Sequence, residues 1–301
     1  MLEHRAVFDF EIDFSNGGAI QGQGFRLDID GNEIGDDELV AYIIRDLRLL
    51  MVGEARILNK CIVTEAHKRR VAHGRPMEAG RVLIDLSHTI ESGMVTYKGL
   101  PAPLICDHLS YVASYEVYAD GTEFQIGRID MVANTGTYVD VPSHRYRDGD
   151  DLAHAPLDRL SALPGVVVRV SGMSGRAIDW QAFAATDVAS KAILVQTDWD
   201  RHWRTDQYFE GHPYLTAEAS TYLRDQGALL VGIDSLNIDD TDSNERPVHS
   251  TLLAAGIPIV EHLTNLGALP VSGFTFNAVP PKVAGMGTFP VRAHAVLDPM
   301  T

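Results

Sequence analysis

The chain has 301 residues, 45% of them hydrophobic, enough apolar material for one large core and a smaller second one, so two domains are expected. Its 25 Lys and Arg against 41 Asp and Glu leave a net charge of −16, which repels phosphate backbones and anionic headgroups and argues against nucleic-acid or membrane partners. The two cysteines, Cys61 and Cys106, are isolated and form no Cys-x-x-Cys pair, so neither a disulfide framework nor a thiolate metal site is indicated, and a reducing cytoplasm is expected. The first residues lack the basic start and apolar run of a signal peptide, and no stretch approaches transmembrane length.

Phe8, Phe10, Ile12 and Phe14 alternate with acidic residues, and Phe25, Leu27 and Ile29 repeat the pattern. This period of two predicts an antiparallel hairpin, with the glycine-rich stretch 15–24 as its connection. A phosphate-cradling loop would need a helix directly after the glycines, and here a strand follows. Asp36, Asp37 and Glu38 start a predicted helix carrying Leu39, Ile43, Leu47 and Leu50, closed by Gly53. The acidic stretch 28–34 departs from a calcium loop, because Glu33 stands where the turn needs glycine. A further strand is predicted over 57–63, making residues 1–63 a small α+β module.

Residues 64–80 are basic, punctuated by glycine and proline and without apolar period, as a linker is, with His67 and His73 solvated. Beyond it, short apolar runs at 82–86, 124–131, 166–170, 193–196, 229–233, 257–260 and 291–297 read as strands. Thr216 caps a predicted helix that stops at Gly227, and a second covers 248–255 before Gly256. Strands interleaved with a few helices imply an α/β layer structure, too irregular for an eightfold barrel.

The chemistry concentrates in Asn134-Thr-Gly-Thr-Tyr-Val-Asp-Val-Pro-Ser-His144. In an extended chain Asn134, Tyr138, Asp140 and His144 share one face, and Gly136 and Pro142 make an irregular strand end where side chains are often re-aimed. On spacing alone a polar strand edge facing water explains the segment as well as a site does. Trp199 and Tyr208 lie in loops dense in aromatic and ionisable groups, which suit either a substrate wall or an oligomer contact.

The 134–144 segment resembles the His-x-Gly-Thr-His-x-Asp-x-Pro-x-His motif of the cyclase family, which includes kynurenine formamidases and isatin hydrolases. Gly136, Thr137, Asp140, Pro142 and His144 match, while Asn134 and Tyr138 replace the two leading histidines. Residues 85–94, 232–235, 247–253 and 257–261 are similar to other family segments, so the likeness covers 81–301. The resemblance implies a cyclase-like mixed β-sheet or barrel with flanking helices, of the swivelling β/β/α type. It implies Asp140, His249 and Glu261 as metal ligands and His144 as acid/base.

The replacements alter the expected chemistry. An asparagine carbonyl is a poor ligand for Zn²⁺ or Mn²⁺, and a phenol binds well only after losing a proton near pH 10. The remaining set, with one nitrogen in three, favours Mn²⁺ or Mg²⁺ over Zn²⁺, and a metal-free site stays open. Catalytic residues are then His144, Tyr138 and Asn134, with Asp198, Trp199 and Tyr208 as candidate substrate contacts and His262 structural. The leading expectation is a cytoplasmic homo-oligomer, dimer or tetramer, hydrolysing an amide, cyclic amide or lactone of a small metabolite. The alternatives are a metal-free lyase, isomerase or lactone-forming cyclase, and a relative that only binds such a metabolite.

Overall fold

The computed structural model describes residues 2–29, 31–46, 49, 51–66 and 81–297. Two compact units divide the chain, Met1–Arg75 and Pro76–Thr301.

The smaller unit holds β1 (Leu2–Phe14), β2 (Gly18–Ile29), helix α1 (Asp36–Asp46) and β3 (Val52–Ala66), with strand order β2-β1-β3 and both pairings antiparallel. Phe8, Phe10, Ile12, Leu39 and Ile43 form its core. The hairpin connection is shorter than the sequence suggested, because Gly22 and Gly24 lie inside β2. A Cβ at Gly22 would stand 2.3 Å from the Phe10 ring, and Gly24 takes a φ of +62° where the register shifts. Gly53 belongs to β3 rather than to a helix end. Leu47, Leu50, His67 and His73 lie outside the described residues.

The larger unit contains, in chain order, β4 (Val82–Asp85), β5 (Leu104–Leu109), α2 (Tyr111–Ser114), β6 (Ile126–Asp130), β7 (Tyr138–Asp140), β8 (Leu163–Arg169), β9 (Ala177–Ile178) and β10 (Ala192–Gln196). Then come β11 (Tyr214–Leu215), α3 (Ala217–Asp225), β12 (Leu230–Ile233), α4 (Pro247–Ala254), β13 (Ile259–Glu261), β14 (Ser272–Asn277), β15 (Thr288–Pro290) and β16 (His294–Leu297). Among the described residues nine of these strands form one mixed sheet in the order β15-β7-β13-β12-β10-β8-β14-β16-β4. Its centre, β13-β12-β10-β8, is parallel and the flanks are antiparallel.

The sheet curls until its ends approach. Leu86 donates to Ala293 O (2.9 Å), Thr264 donates to Leu86 O (3.0 Å), and Ser87 bridges to Leu263. The result is a near-barrel flanked by helices, so the α/β architecture expected from the sequence is present.

Both sheet faces are buried, which is why the parallel strands read as unbroken apolar runs. Val139, Val167, Leu194, Val260, Phe276 and Ala295 pack on one face. Val166, Val168, Ile193, Val195 and Val231 pack on the other, against Leu223 of α3 and Leu252 of α4. Each of the valine, leucine, isoleucine and phenylalanine side chains contributes roughly 1.5–3 kcal/mol on burial. Thr216 accepts from Ala219 N (3.1 Å) to cap α3, and Gly227 and Gly256 follow the two helices with φ of +79° and +68°. Among the described residues no helix is long and apolar enough to cross a membrane.

Candidate active site

β7 lies between β13 and β15, and its short length is set at both ends. Gly136 has φ +67°, and a Cβ there would meet Ile90 at 2.9 Å. Pro142 opens a single 3-10 turn, Pro142–His144. Across the ladder Tyr138 stands opposite Glu261 and Pro290, and Asp140 opposite Ile259 and Thr288. The sequence pictured 134–144 as one extended face. Only three residues are strand, and the turn after Pro142 brings His144 back toward Asp140.

The resulting contacts are short. The Tyr138 hydroxyl donates to Glu261 Oε2 at 2.6 Å. Thr288 Oγ1 hydrogen-bonds Asp140 Oδ1 and lies 2.6 Å from His144 Nδ1. His249 Nε2 stands 3.6 Å from Asp140 Oδ2 and 3.7 Å from Glu261 Oε1. Its Nδ1 is held by Asp239 Oδ2 at 2.6 Å. That carboxylate also accepts from Val248 N (2.8 Å) and His249 N (3.0 Å), so one side chain from the preceding loop both caps α4 and orients its histidine. Glu261 further accepts from Ile238 N (2.6 Å) and, at 3.5 Å, from Asn237 Nδ2. Tyr138, His144, Asn237, His249 and Glu261 line a cavity of about 270 Å³ together with Tyr97, Leu100, Asn134, Arg145 and Arg246, whereas Asp140, Asp239 and Thr288 are not among its lining residues.

Asp140 and Glu261 are fully buried. Burial raises the Glu261 carboxyl, and the nearby His249 opposes that rise. Burial alone would lower the His249 imidazole, but the carboxylates of Asp140, Asp239 and Glu261 outweigh it and lift it to about 10. Burial and the neighbouring carboxylates push the Tyr138 phenol well above its ordinary value, so it stays a neutral donor.

Asp140, His144 and His249 offer ligand atoms that all lie within 4.8 Å of one another. The buried Asp140 Oδ2 has no hydrogen-bond partner, and His249 Nε2 is aimed at it because Nδ1 is engaged. Two donors about 2.1 Å from one ion stand roughly 3.4 Å apart in a tetrahedron, close to the 3.6 and 3.7 Å seen around His249 Nε2. The cluster therefore fits a divalent cation. Glu261 is less free, with Tyr138, Ile238 and Asn237 already on its oxygens.

Other sequence-derived candidates sit elsewhere. Asp198, Trp199 and Tyr208 are not among the cavity-lining residues. Asp198 takes a φ of +61° and accepts from Gln196 Nε2 (2.6 Å), while Trp199 Nε1 donates to Tyr208 O (3.0 Å). Tyr208 is buried with its hydroxyl 2.8 Å from His262 Nδ1, which ties the loop to the back of β13. His262 itself is buried and not among the lining residues, its ring 5.1 Å from that of Tyr138, which is one of them. Thr288, Asp239, Asn237, Tyr97, Arg145 and Arg246 were not anticipated. The only signal for any of them was Asp239 lying a short loop ahead of a helix whose first residue is proline.

Residues 84–240, more than half of the chain, match the profile of a family described as "Putative cyclase". The chain belongs to the cyclase family. Among cyclase-family relatives, a kynurenine formamidase from Maricaulis maris (strain MCS10) is 29% identical over 222 residues, covering 69% of this chain and 95% of that protein. A structure described as a potential metal-dependent hydrolase with cyclase activity is 25% identical, with a TM-score of 0.60, covering 73% of this chain and all of that one. Isatin hydrolase A from Labrenzia aggregata, bound to benzyl benzoate, has a TM-score of 0.63 at 21% identity and covers 72% of this chain and 94% of its own, a likeness of fold. The cyclase-family match includes β7 and the turn carrying His144.

Proposed function

We propose that the protein is a hydrolase of the amide, cyclic amide or lactone carbonyl of a small metabolite, with His144 as acid/base. The observation that carries this reading is the clustering of Asp140, His144, His249 and Glu261 through contacts of 3.7 Å or less, the last three lining one cavity. We place the protein in a variant cyclase subgroup defined by Asn134 and Tyr138, with residues 81–301 as the catalytic domain, 64–80 as linker and 1–63 as a separate module of its own role. We further propose a cytoplasmic homo-oligomer that takes a small molecule and no nucleic acid. The free Cys61 and Cys106 support the compartment, and the exposed Leu104, Ile126 and Ile129 of β5 and β6 support self-association.

A divalent cation held by Asp140 and His249, with Glu261 beside them, would supply Lewis acidity, polarising a carbonyl and easing ionisation of water. The remaining work falls to the chain's own side chains. Asp140 is an acceptor only, so the single Thr288 hydroxyl proton points to it, and Thr288 Oγ1 accepts from His144 Nδ1–H. In its neutral form His144 then carries its lone pair on Nε2, able to take a proton from attacking water and return it to the leaving amine or alkoxide. Asn134, on the cavity wall, is placed to donate to the oxyanion that develops. Tyr138 keeps Glu261 in position.

A metal-free acid/base reading is favoured by one observation, the placement of His249 Nε2 within 3.7 Å of both the Asp140 and Glu261 carboxylates. Without a cation, the imidazolium places positive charge between Asp140 and Glu261. That site would suit a lyase, isomerase or lactone-forming cyclase. Elemental analysis of protein purified without chelator, followed by turnover of formamides, lactones and cyclic imides by wild type and His144→Ala, tests both. Bound Mn, Mg or Zn with turnover lost in His144→Ala supports the hydrolase, and turnover unchanged after chelation supports the metal-free route. No turnover of any compound leaves a metabolite-binding relative, and an equally active His144→Ala variant refutes the acid/base assignment.

A further inference from the structure

Two arginines face the cavity without acidic partners. Arg145 and Arg246 both line it, and among the described residues neither has a carboxylate within ion-pair distance, whereas Arg56, Lys60, Arg176, Arg204 and Arg292 each do. In a chain with 41 acidic and 25 basic residues, two uncompensated cations on one wall are an unusual electrostatic feature.

Both guanidinium groups are held in place by neutral atoms around the start of α4. Arg246 Nη1 donates to the carbonyls of Ser243 (2.7 Å), Glu245 (2.7 Å) and Asp240 (3.2 Å). Arg145 Nε donates to Ser250 Oγ (3.2 Å), and its guanidinium carbon lies 5.4 Å from the Tyr146 ring centroid. Carbonyl and hydroxyl anchors fix the geometry while leaving the charge available to a ligand.

The wall offers nothing comparable to a cation. Its one carboxylate, Glu261, is fully buried and already engaged by the Tyr138 hydroxyl and the Ile238 amide. An ammonium group at this wall would meet two arginines and no free anion among the lining residues, since the unpartnered Asp140 Oδ2 lies 3.6 Å from His249 Nε2 and outside the lining. At about 270 Å³ the space is at the small end for ligand pockets, which start at about 300 Å³.

We infer that the cavity selects a small carboxylate-bearing substrate, its anionic group taken by Arg145 and Arg246, and discriminates against α-amino-acid zwitterions. This rests on the cavity being the substrate site proposed above and narrows its substrate class to amides or lactones that carry a carboxylate and no ammonium group.

Isothermal titration of the full chain with phenylacetate, phenylacetamide and phenylglycine separates the possibilities, since the three share a ring and differ in charge. Phenylacetate is expected to bind at least about tenfold more tightly than either of the others, as charge-assisted hydrogen bonds do, and to weaken as salt is raised. The preference is expected to shrink several-fold in Arg145→Met and in Arg246→Met. Arg145→Met is the safer variant, because its described side-chain bond is a single one to Ser250, whereas Arg246 ties together its own loop.

Binding of phenylacetamide or phenylglycine within about threefold of phenylacetate overturns the inference. So does an absence of phenylacetate binding at millimolar concentration, or an anion preference that survives both substitutions, which would place the carboxylate on His249 instead. Titration needs no turnover. Selective binding by a protein that cleaves no amide or lactone therefore sinks the hydrolase reading alone, and turnover without anion preference sinks this inference alone.

Discussion

Asp239 carries two duties that a substitution can separate. Asp239→Asn keeps an oxygen for one of the two α4 amides, which bond different oxygens of the carboxylate, and loses the anionic partner of His249 Nδ1. Metal affinity measured by titration is expected to fall about 10- to 100-fold, with a smaller loss of stability than removal of the whole carboxylate causes. Asp239→Ala should lose the same affinity and also about 1–2 kcal/mol of stability through the missing cap. Thr288→Val removes the hydroxyl between Asp140 and His144 while keeping shape. Steady-state kinetics should show kcat reduced at least about tenfold with KM little changed, and Thr288→Ser should restore it. The double replacement Asn134→His, Tyr138→His returns imidazoles to the two altered motif positions, and Zn²⁺ affinity is expected to rise at least about tenfold. Of these residues the motif made Asp140 and His144 legible. Thr288 was not, since a threonine acquires meaning here only through a ladder partner 148 positions away.

The element that aims His144 is the turn after Pro142, and its tightness comes from backbone against backbone. A Cβ on Gly287 would lie 2.2 Å from His144 N and 2.5 Å from its Cα. Gly287→Ala must therefore displace the turn or the approach to β15, and a loss of roughly 1–3 kcal/mol in chemical denaturation together with loss of activity is expected. By contrast, a Cβ at Gly127 of β6 would meet nothing within 4 Å and its φ is not left-handed, and turnover by Gly287→Ala should fall well below that of Gly127→Ala. Apolar runs made the central strands readable: Val166, Val168 and Val170 pack on one face and Val167 on the other. The 134–144 segment reads as extended chain with an irregular strand end, but the three-residue extent of β7 was not readable, because its pairing partners are remote in sequence. The two-residue strands β9 and β11 carry no periodic signal at all.

At the scale of the molecule, each unit has its own core. Residues 81–301 expressed alone are expected to give a single cooperative thermal transition, read by circular dichroism, while a unit as small as 1–75 is marginal by itself. Acid should weaken the larger unit through histidines that folding keeps neutral. Burial lowers the His88 imidazole, stacked 4.0 Å from Trp203, to about 4, and lowers His262 well below its ordinary value. Both take up protons near pH 6.5 once unfolded, so their contribution is complete above about pH 6.5 and is lost as pH falls toward about 4. Denaturation at pH 7.5 and 4.5 should differ by at least about 1–3 kcal/mol, and His88→Phe should narrow that difference. The closure of the sheet was not readable, because it depends on where Leu86 meets Ala293 and Thr264. The ladder joining Tyr138 to Glu261 and Asp140 to Thr288 spans 123 and 148 positions. Such distant pairings form late and slowly in a refolding chain. Recovered turnover after dilution from denaturant should therefore lag behind recovered helix signal, making enzymatic competence itself a clock for the last stage of assembly.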